Sequence, residues 1–458
     1  MEHVVHAYFD REARDNAYRS RHRLIAEIVF KEVLREPVDR ANQLVRIIRN
    51  MDIDYSSDRA AFFETVRGRA LADLFSDKAL ANQIFRAAEE SGADVNFVEH
   101  QRAVFEMQHR GGDLRAALAA IEKAEAAVSG SDRSILHTKA AILRSLANVV
   151  PQRLERENLR SRAKTILEKL LKGSRVSHPY HTAGQLCLDE LRDKLDDLAR
   201  PEVTTPAELQ DRTIAELIRG VEEAVSEGLQ RFPGDSYLLS LEADLARLLQ
   251  EHSRASEALS RAFNANPGRS YVAVRLAHHL CDRGEAGKAK EILKSAIAVN
   301  PSGKEVHFAL ARLLIAEDER GNQTQVVYHL KRGFTPGDSH LEAQFWYARH
   351  CFLFWQPEQG MAAFKALAES AASGEDKRRV RNVLANHAGE RVRLAGWVKS
   401  IHESFCFVHA PDYRIDIFAH SKDIDDEEWR ALNTGKQVTF ELGFTLRGPV
   451  ALRVRSAQ

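Results

Sequence analysis

Phe232-Pro233-Gly234-Asp235, Asn266-Pro267-Gly268, Asn300-Pro301-Ser302 and Thr335-Pro336-Gly337-Asp338 recur at intervals of 34, 34 and 35 residues. A period of 34 is the length of one helix–turn–helix unit. Proline lacks the N–H that a helix interior needs, so each stretch ends one unit and sets the start of the next. The interiors agree with that phase. Between Pro267 and Pro301 stand Leu276-Ala277, Leu280, Gly284-Glu285, Ala289, Leu293 and Ala296. The unit before carries Ala243, Ala255, Leu259, Ala262 and Phe263. The unit after carries Leu310-Ala311 and Leu314, and a fourth holds Phe345, Ala348, Cys351, Phe364 and Leu367. Small residues let two helices cross closely and large ones fill the gap to the next unit, so all of these are expected in the core.

This pattern resembles the tetratricopeptide repeat: a small residue at the helix crossing, a Gly turn, then Ala–large–Ala along the second helix. Upstream the pattern loosens. A repeat-like unit runs from Phe97 through Gly111-Gly112-Asp113 to Ala124, and a degenerate one follows through Ala140-Ala141 and a helix over 162–171. The expected division is 1–95 as a helical N-terminal region, 96–205 as degenerate repeats, 206–389 as the regular array with a capping helix, and 390–458 as a final domain. Residues 13–34 read as one helix containing Arg19-Ser20-Arg21-His22-Arg23-Leu24-Ile25-Ala26-Glu27. Here residues 1–130 resemble the winged-helix and helical segment that follows the ATPase core of bacterial STAND-type NTPases. That resemblance implies a signalling setting such as antiphage defence. Yet no G-x-x-x-x-G-K-[ST] loop occurs in the sequence, so a phosphate cradle would have to come from a separate ATPase or effector chain.

Bulk composition narrows the function classes. With 66 basic against 66 acidic residues the 458-residue chain is neutral by count, so any nucleic-acid site must be a local patch. The four cysteines, Cys187, Cys281, Cys351 and Cys406, form no C-x-x-C pair, which argues against a zinc ribbon or a disulfide scaffold. No apolar run approaches the ~20 residues a membrane-spanning helix needs. No signal pattern opens the sequence, and a cytoplasmic location is expected. His178-Pro179-Tyr180-His181 has no nearby Cys or acidic partner and is not read as a metal pair. His278-His279 on a repeat helix is expected to give one buried and one exposed ring. With no nucleophile motif, metal spacing or phosphate loop, neither catalysis nor a cofactor is expected.

Near Val392 the apolar period changes from 3.6 to 2. Val392, Leu394 and Val398 are followed by Phe405-Cys406-Phe407, Ile415-Asp416-Ile417-Phe418-Ala419, Val438, Phe440 and Leu442, then Val450, Leu452 and Val454. Turns are expected at Asn433-Thr434-Gly435 and Arg447-Gly448-Pro449. Five short strands suggest a small barrel. The fold class is therefore mainly α: a helical-repeat superhelix followed by a small five-stranded β-barrel.

Four pieces of this stretch resemble the cold-shock domain, an OB-fold binder of single strands. They are Gly396-x-Val398-Lys399, Ser404-Phe405-Cys406-Phe407-Val408, Asp416-Ile417-Phe418-Ala419-His420-Ser421, and Leu432-x-x-Gly435-x-x-Val438-x-Phe440 with Gly448-Pro449-x-Ala451. Ser400 stands where the family has an exposed Trp. The resemblance implies Lys399, Phe405, Phe407, Phe418 and His420 as nucleic-acid-binding residues. Arg391 and Arg393, just upstream, are expected to border the surface, and the run 377–381 to add positive charge. Two roles stay open for the barrel: binding single-stranded RNA or DNA, or serving as a cap that docks protein. The chain is expected to act as a non-enzymatic scaffold or sensor, with a protein partner on its repeat surface and no membrane contact.

The Trp346–Trp355 cluster is unusually apolar for a terminal repeat. It is expected to be core, or a surface that the following domain covers.

Overall fold

The computed structural model describes residues 9–11, 18–20, 33–128, 132–198, 211–370, 374–386 and 389–457. The chain forms two compact units, Met1–Ala309 and Leu310–Gln458.

In the first unit, Val95–Gln108 and Leu114–Ala126 open a run of helix pairs. Arg133–Ala147 with Arg153–Leu171 and His178–Asp197 with Arg212–Arg231 follow. Ser236–Leu248 with His252–Ala265 and Ser270–Asp282 with Ala286–Val299 complete it. The four prolines sit in turns between helices, and no strand interrupts 211–370. Each part of the Pro-Gly-Asp stretch has a task. Gly234 takes φ +79°, which side chains with a Cβ disfavour. Asp235 then caps the next helix, accepting hydrogen bonds at 3.0 Å from the backbone N–H groups of Tyr237 and Leu238. Asp113, Asp132 and Asp211 cap other helices in the same way. A cap of this kind stabilises by about 1 kcal/mol. Successive turns are also tied together, since Asn300 donates from its side chain to the carbonyl of Gly268 at 3.3 Å. The crossing residues Ala243 and Ala277 are buried, as are Ala255 and Ala289 on the second helices.

The structure differs from the sequence reading in several places here. Residues 18–20, expected in a helix, form a strand: Phe9–Arg11 (β1) pairs antiparallel with Tyr18–Ser20 (β2). Positions 21–32 of that helix, including Arg21 to Glu27 of the basic stretch, lie outside the described residues. So do the loop at 129–131, the connector 200–206 and the break at 371–373. The apolar stretch from Phe62 to Phe75 is two helices, Ser56–Thr65 and Gly68–Leu74. They part at Gly68 because the second helix begins against Val95–Gln108, where a Cβ on Gly68 would lie 2.0 Å from the carbonyl oxygen of Gln101. After Ser177 the chain forms a 20-residue helix. Pro179 falls in its first turn, where a missing N–H costs nothing. His278 is exposed and His279 buried, as its repeat position requires.

The second unit carries the last helix pairs and the barrel. Leu341–Phe354 packs against Pro357–Ala368. Gly360 allows the contact, because a Cβ there would sit 2.6 Å from the backbone nitrogen of Phe352. The helix Gly374–Arg379 stops within the basic run 377–381. Arg381–Val383 (β3) is instead a strand, paired with Gln437–Thr445 (β7). Between them come Arg393–Ile401 (β4), Phe405–Ala410 (β5) and Ile415–His420 (β6), and Gly448–Ser456 (β8) ends the sheet. Strand order is β3-β7-β4-β5-β6-β8 with β8 returning to β7. Five strands thus close a barrel, and β3 is a sixth strand beside β7. The closing contact between β6 and β8 is slight, a single parallel register pair, Phe418 with Val450.

Part of the apolar cluster of the last repeat is covered by this barrel, through Phe352, while Trp355 stays exposed. Phe444 on β7 stacks with Phe364 at 6.0 Å and meets Phe352 edge-on at 5.6 Å. Tyr413, in the β5–β6 turn, stacks on Phe352 at 5.0 Å. Buried Arg349 joins the same contact. It donates to Glu319 at 2.6 Å and to Asn382 on β3 at 2.7 Å, and lies 5.6 Å over the Phe444 ring.

Candidate nucleic-acid interface

Alternation along β5 and β6 sorts the side chains. Cys406, Val408, Ile417 and Ala419 are fully buried inside the barrel. Burial pushes the Cys406 thiol up to about 11, which keeps it protonated and unreactive. Phe405, Phe407 and His409 take the outer face of β5, and Asp416, Phe418 and His420 that of β6, because residues two apart point the same way. The register pairs Phe405 with His420 and Phe407 with Phe418.

The three phenylalanines form one group. Phe405 stacks with Phe418 at 5.5 Å, Phe407 meets Phe418 edge-on at 6.0 Å, and Phe405 and Phe407 lie 5.9 Å apart. Phe418 keeps 36% of its surface exposed. Phe405 and Phe407 are half-buried. None of the three packs against Trp346 or Trp355. His420 borders Phe418 at 6.3 Å, and its Nδ1 accepts the Lys422 backbone N–H at 3.1 Å, leaving Nε2 to carry the ring proton.

Three further rings belong to the surface and were not singled out from sequence. Trp397 on β4 lies opposite His409 with ring centroids 4.3 Å apart. His409 is held by Asp416 at 2.7 Å. His402 stacks on Phe405 at 4.4 Å. Trp397 stands three residues before Ser400, the position where the resemblance places an exposed Trp. Alternation with Val398 was the signal that could have found it.

The charged residues divide. Lys399 is exposed, and it is the extra residue of a bulge: Val398 pairs with Val408 but Ser400 with Phe407. Arg391 and Arg393, expected to border the platform, are drawn to β7. Both turn to buried Glu441 on β7, Arg391 at 3.0 Å and Arg393 at 3.8 Å, and Arg453 joins them at 3.4 Å. Arg393 also donates to the carbonyls of Thr439 and Arg453, each at 3.0 Å. A buried carboxylate attracts the nearest cations, and Glu441 is nearly 50 residues away in sequence. The side chain of Lys377 lies outside the described residues.

Elsewhere, His178 and His181 stand among rings rather than in a metal set. His181 lies 5.4 Å and His178 5.7 Å from Tyr237, which stacks on Tyr271 at 5.1 Å. Burial holds His181 and neighbouring His137 down at about 4, so both are neutral at pH 7. Among the described residues no group of three or more His, Cys, Asp or Glu side chains could hold a metal ion. None of the described helices is long and apolar enough to cross a membrane.

A closed five-stranded barrel with an outward aromatic face on two adjacent strands offers flat apolar surface of the kind on which bases stack. Residues 394–457 match the family described as the 'Cold-shock' DNA-binding domain. No curated protein matches the chain. Solved structures similar to it include yeast Tom70, at 14% identity and TM-score 0.44, covering 79% of this chain and 73% of that one. The human IFIT1 dimer with PPP-AAAA is similar at 14% identity and TM-score 0.37, covering 70% and 73%. The C-terminal part of a TPR repeat-containing protein from Cytophaga hutchinsonii is similar at 15% identity and TM-score 0.31, covering 57% and 92%. The chain thus carries a run of antiparallel helix pairs and, after them, a barrel whose residues 394–457 match the cold-shock family.

Proposed function

We propose that this protein is a non-enzymatic adaptor that holds single-stranded nucleic acid on its barrel and a protein partner on its helical repeats. The observation that carries the reading is the outward group of Phe405, Phe407 and Phe418, flanked by Trp397, His402 and His420. Unpaired bases have two flat faces to bury. Each base stacked on an aromatic side chain is worth about 1–3 kcal/mol without demanding a sequence. A surface of this type discriminates against duplex, whose bases are already stacked. The test is fluorescence anisotropy of the full chain with a labelled single-stranded oligonucleotide and its duplex at low salt. Binding of the single strand alone, weakening as salt rises, is the expected result. Absence of single-strand binding would return the barrel to a docking role only.

All four cysteines are free thiols, which suits the reducing cytoplasm we assign to the protein. For the repeats, the resemblance in residues 1–130 motivates a partner that is a separately encoded ATPase or effector in bacterial antiphage signalling. Co-purification of an NTPase with the tagged chain tests it, and its absence removes that assignment.

A further inference from the structure

Beside the platform lies a groove of about 1000 Å³. It starts at Phe418 and His420, where β6 and β8 share only one register pair, and runs along β8 to β3. Its lining includes five cations, Arg381, Arg391, Lys422, Arg447 and Arg453, against the carboxylates Asp423 and Asp425. Asp425 is already engaged, capping the helix Asp426–Ala431. Arg391 and Arg453 share Glu441. The side chains of Arg381, Lys422 and Arg447 enter no ion pair or hydrogen bond among the described residues, and all three are exposed. The backbone is also irregular beside the groove. Arg453 takes φ +47°, a conformation that side-chain-bearing residues avoid, beside a register break between β7 and β8. Bulges of this kind re-aim a side chain.

We propose that a single strand stacked on the platform continues past His420 into this groove, where Arg381, Lys422 and Arg447 hold its phosphates. The proposal rests on the nucleic-acid reading of the platform. Charge selects the occupant, since five cations face two carboxylates in a groove that also reaches the open rings Phe418 and His420. That combination matches a chain with bases to stack and phosphates to pair. Arg381 belongs to β3, outside the 394–457 family match. The footprint would therefore exceed that of the barrel alone, and the strand preceding the barrel would be part of the site.

The experiment compares thymidine oligonucleotides of about four and about twelve nucleotides, which span the site sizes of a single OB fold. Anisotropy is measured on the full chain, wild type and Arg381→Ala/Arg447→Ala. Wild type is expected to bind the longer probe more tightly. The variant should lose that gain while binding the short probe as before. Its salt slope on the long probe should fall by about 1.4, the value for two lost phosphate contacts on a single strand. Both arginines are exposed, so the thermal midpoint should not move. A length gain that survives in the variant, or none in wild type, overturns the groove and leaves the platform standing. No binding of either probe overturns both. Long-probe binding that ignores Phe405→Ala/Phe407→Ala yet needs the arginines would sink the platform and keep the groove. If the arginine variant instead loses capture of a polyglutamate peptide and keeps the length gain, the groove belongs to an acidic protein segment.

Discussion

The barrel has two aromatic faces, and they have opposite fates. On one, Phe444 and Tyr413 meet Phe352 and Phe364 of the last helix pair, and Phe444 is 1% exposed. On the other, Phe405, Phe407 and Phe418 touch one another and leave ring surface open. Docking on the helices and the proposed stacking are therefore not alternatives for this barrel, because different residues would carry each. The β5–β6 hairpin shows the division within one element: its turn packs on the helices through Tyr413, and its open end presents Phe405 and His420. The difference also shows why aromatic count alone is a poor guide to function. A ring closed in by other rings stabilises the fold, while a ring left half-open can take a base.

The largest expected effect is on the open face. Phe405→Ala with Phe407→Ala should remove about 2–6 kcal/mol of single-strand binding, from about 1–3 per stacked base, which abolishes it in practice. The urea midpoint should stay close to that of wild type, since both rings are only half-buried. A large loss of stability with binding retained would break the distinction between the faces. Phe444→Ala is the converse. Deleting a buried ring should cost about 3–5 kcal/mol in unfolding free energy. The affinity of the remaining folded protein for a four-nucleotide probe, which reaches only the platform, should be unchanged, as titration well below the midpoint would reveal.

Much of this was legible in sequence, for local reasons. Proline fixes where a helix stops, and small residues at fixed offsets fix where two helices cross, so the array could be phased residue by residue. Strand alternation likewise placed Cys406, Val408 and Ile417 inward and the phenylalanines outward. What escaped depends on distant pairing. Arg381-Asn382-Val383 is too short to show a period, and it is a strand only because β7 supplies a partner. Arg391 and Arg393 looked free because Glu441 is far along the chain. Gly68 separates two helices only because another helix lies against it. The resemblance places its exposed Trp at Ser400, whereas the β4 register puts the Trp397 indole against His409.

Trp397 gives the next test. Trp397→Ala should weaken single-strand binding by about 1–3 kcal/mol if the indole stacks a base. Trp397→Phe should restore most of the loss, since a flat ring remains. If neither change alters affinity, the usable surface ends at Phe407 and Phe418. Tryptophan fluorescence supplies an independent readout, because stacking on a base should quench Trp397 but not the distant, exposed Trp355.

The smallest effect concerns charge, and it separates cations that are free from cations already engaged. Lys399 is exposed at the β4 bulge and has no ion pair or hydrogen bond among the described residues. Arg393 is anchored by Glu441 and two backbone carbonyls. Lys399→Ala should therefore lower the salt slope of single-strand binding by about 0.7, one phosphate contact, with no change in thermal midpoint. Arg393→Ala should do the reverse. It removes one of the three arginines around Glu441 and frees two carbonyls, so stability should drop while the salt slope stays put. Measuring both slopes between low and moderate salt, each beside a melting curve, decides the matter. If Arg393→Ala lowers the slope and Lys399→Ala does not, the strand crosses β4 on its Glu441 side and the platform has been drawn on the wrong edge of the barrel.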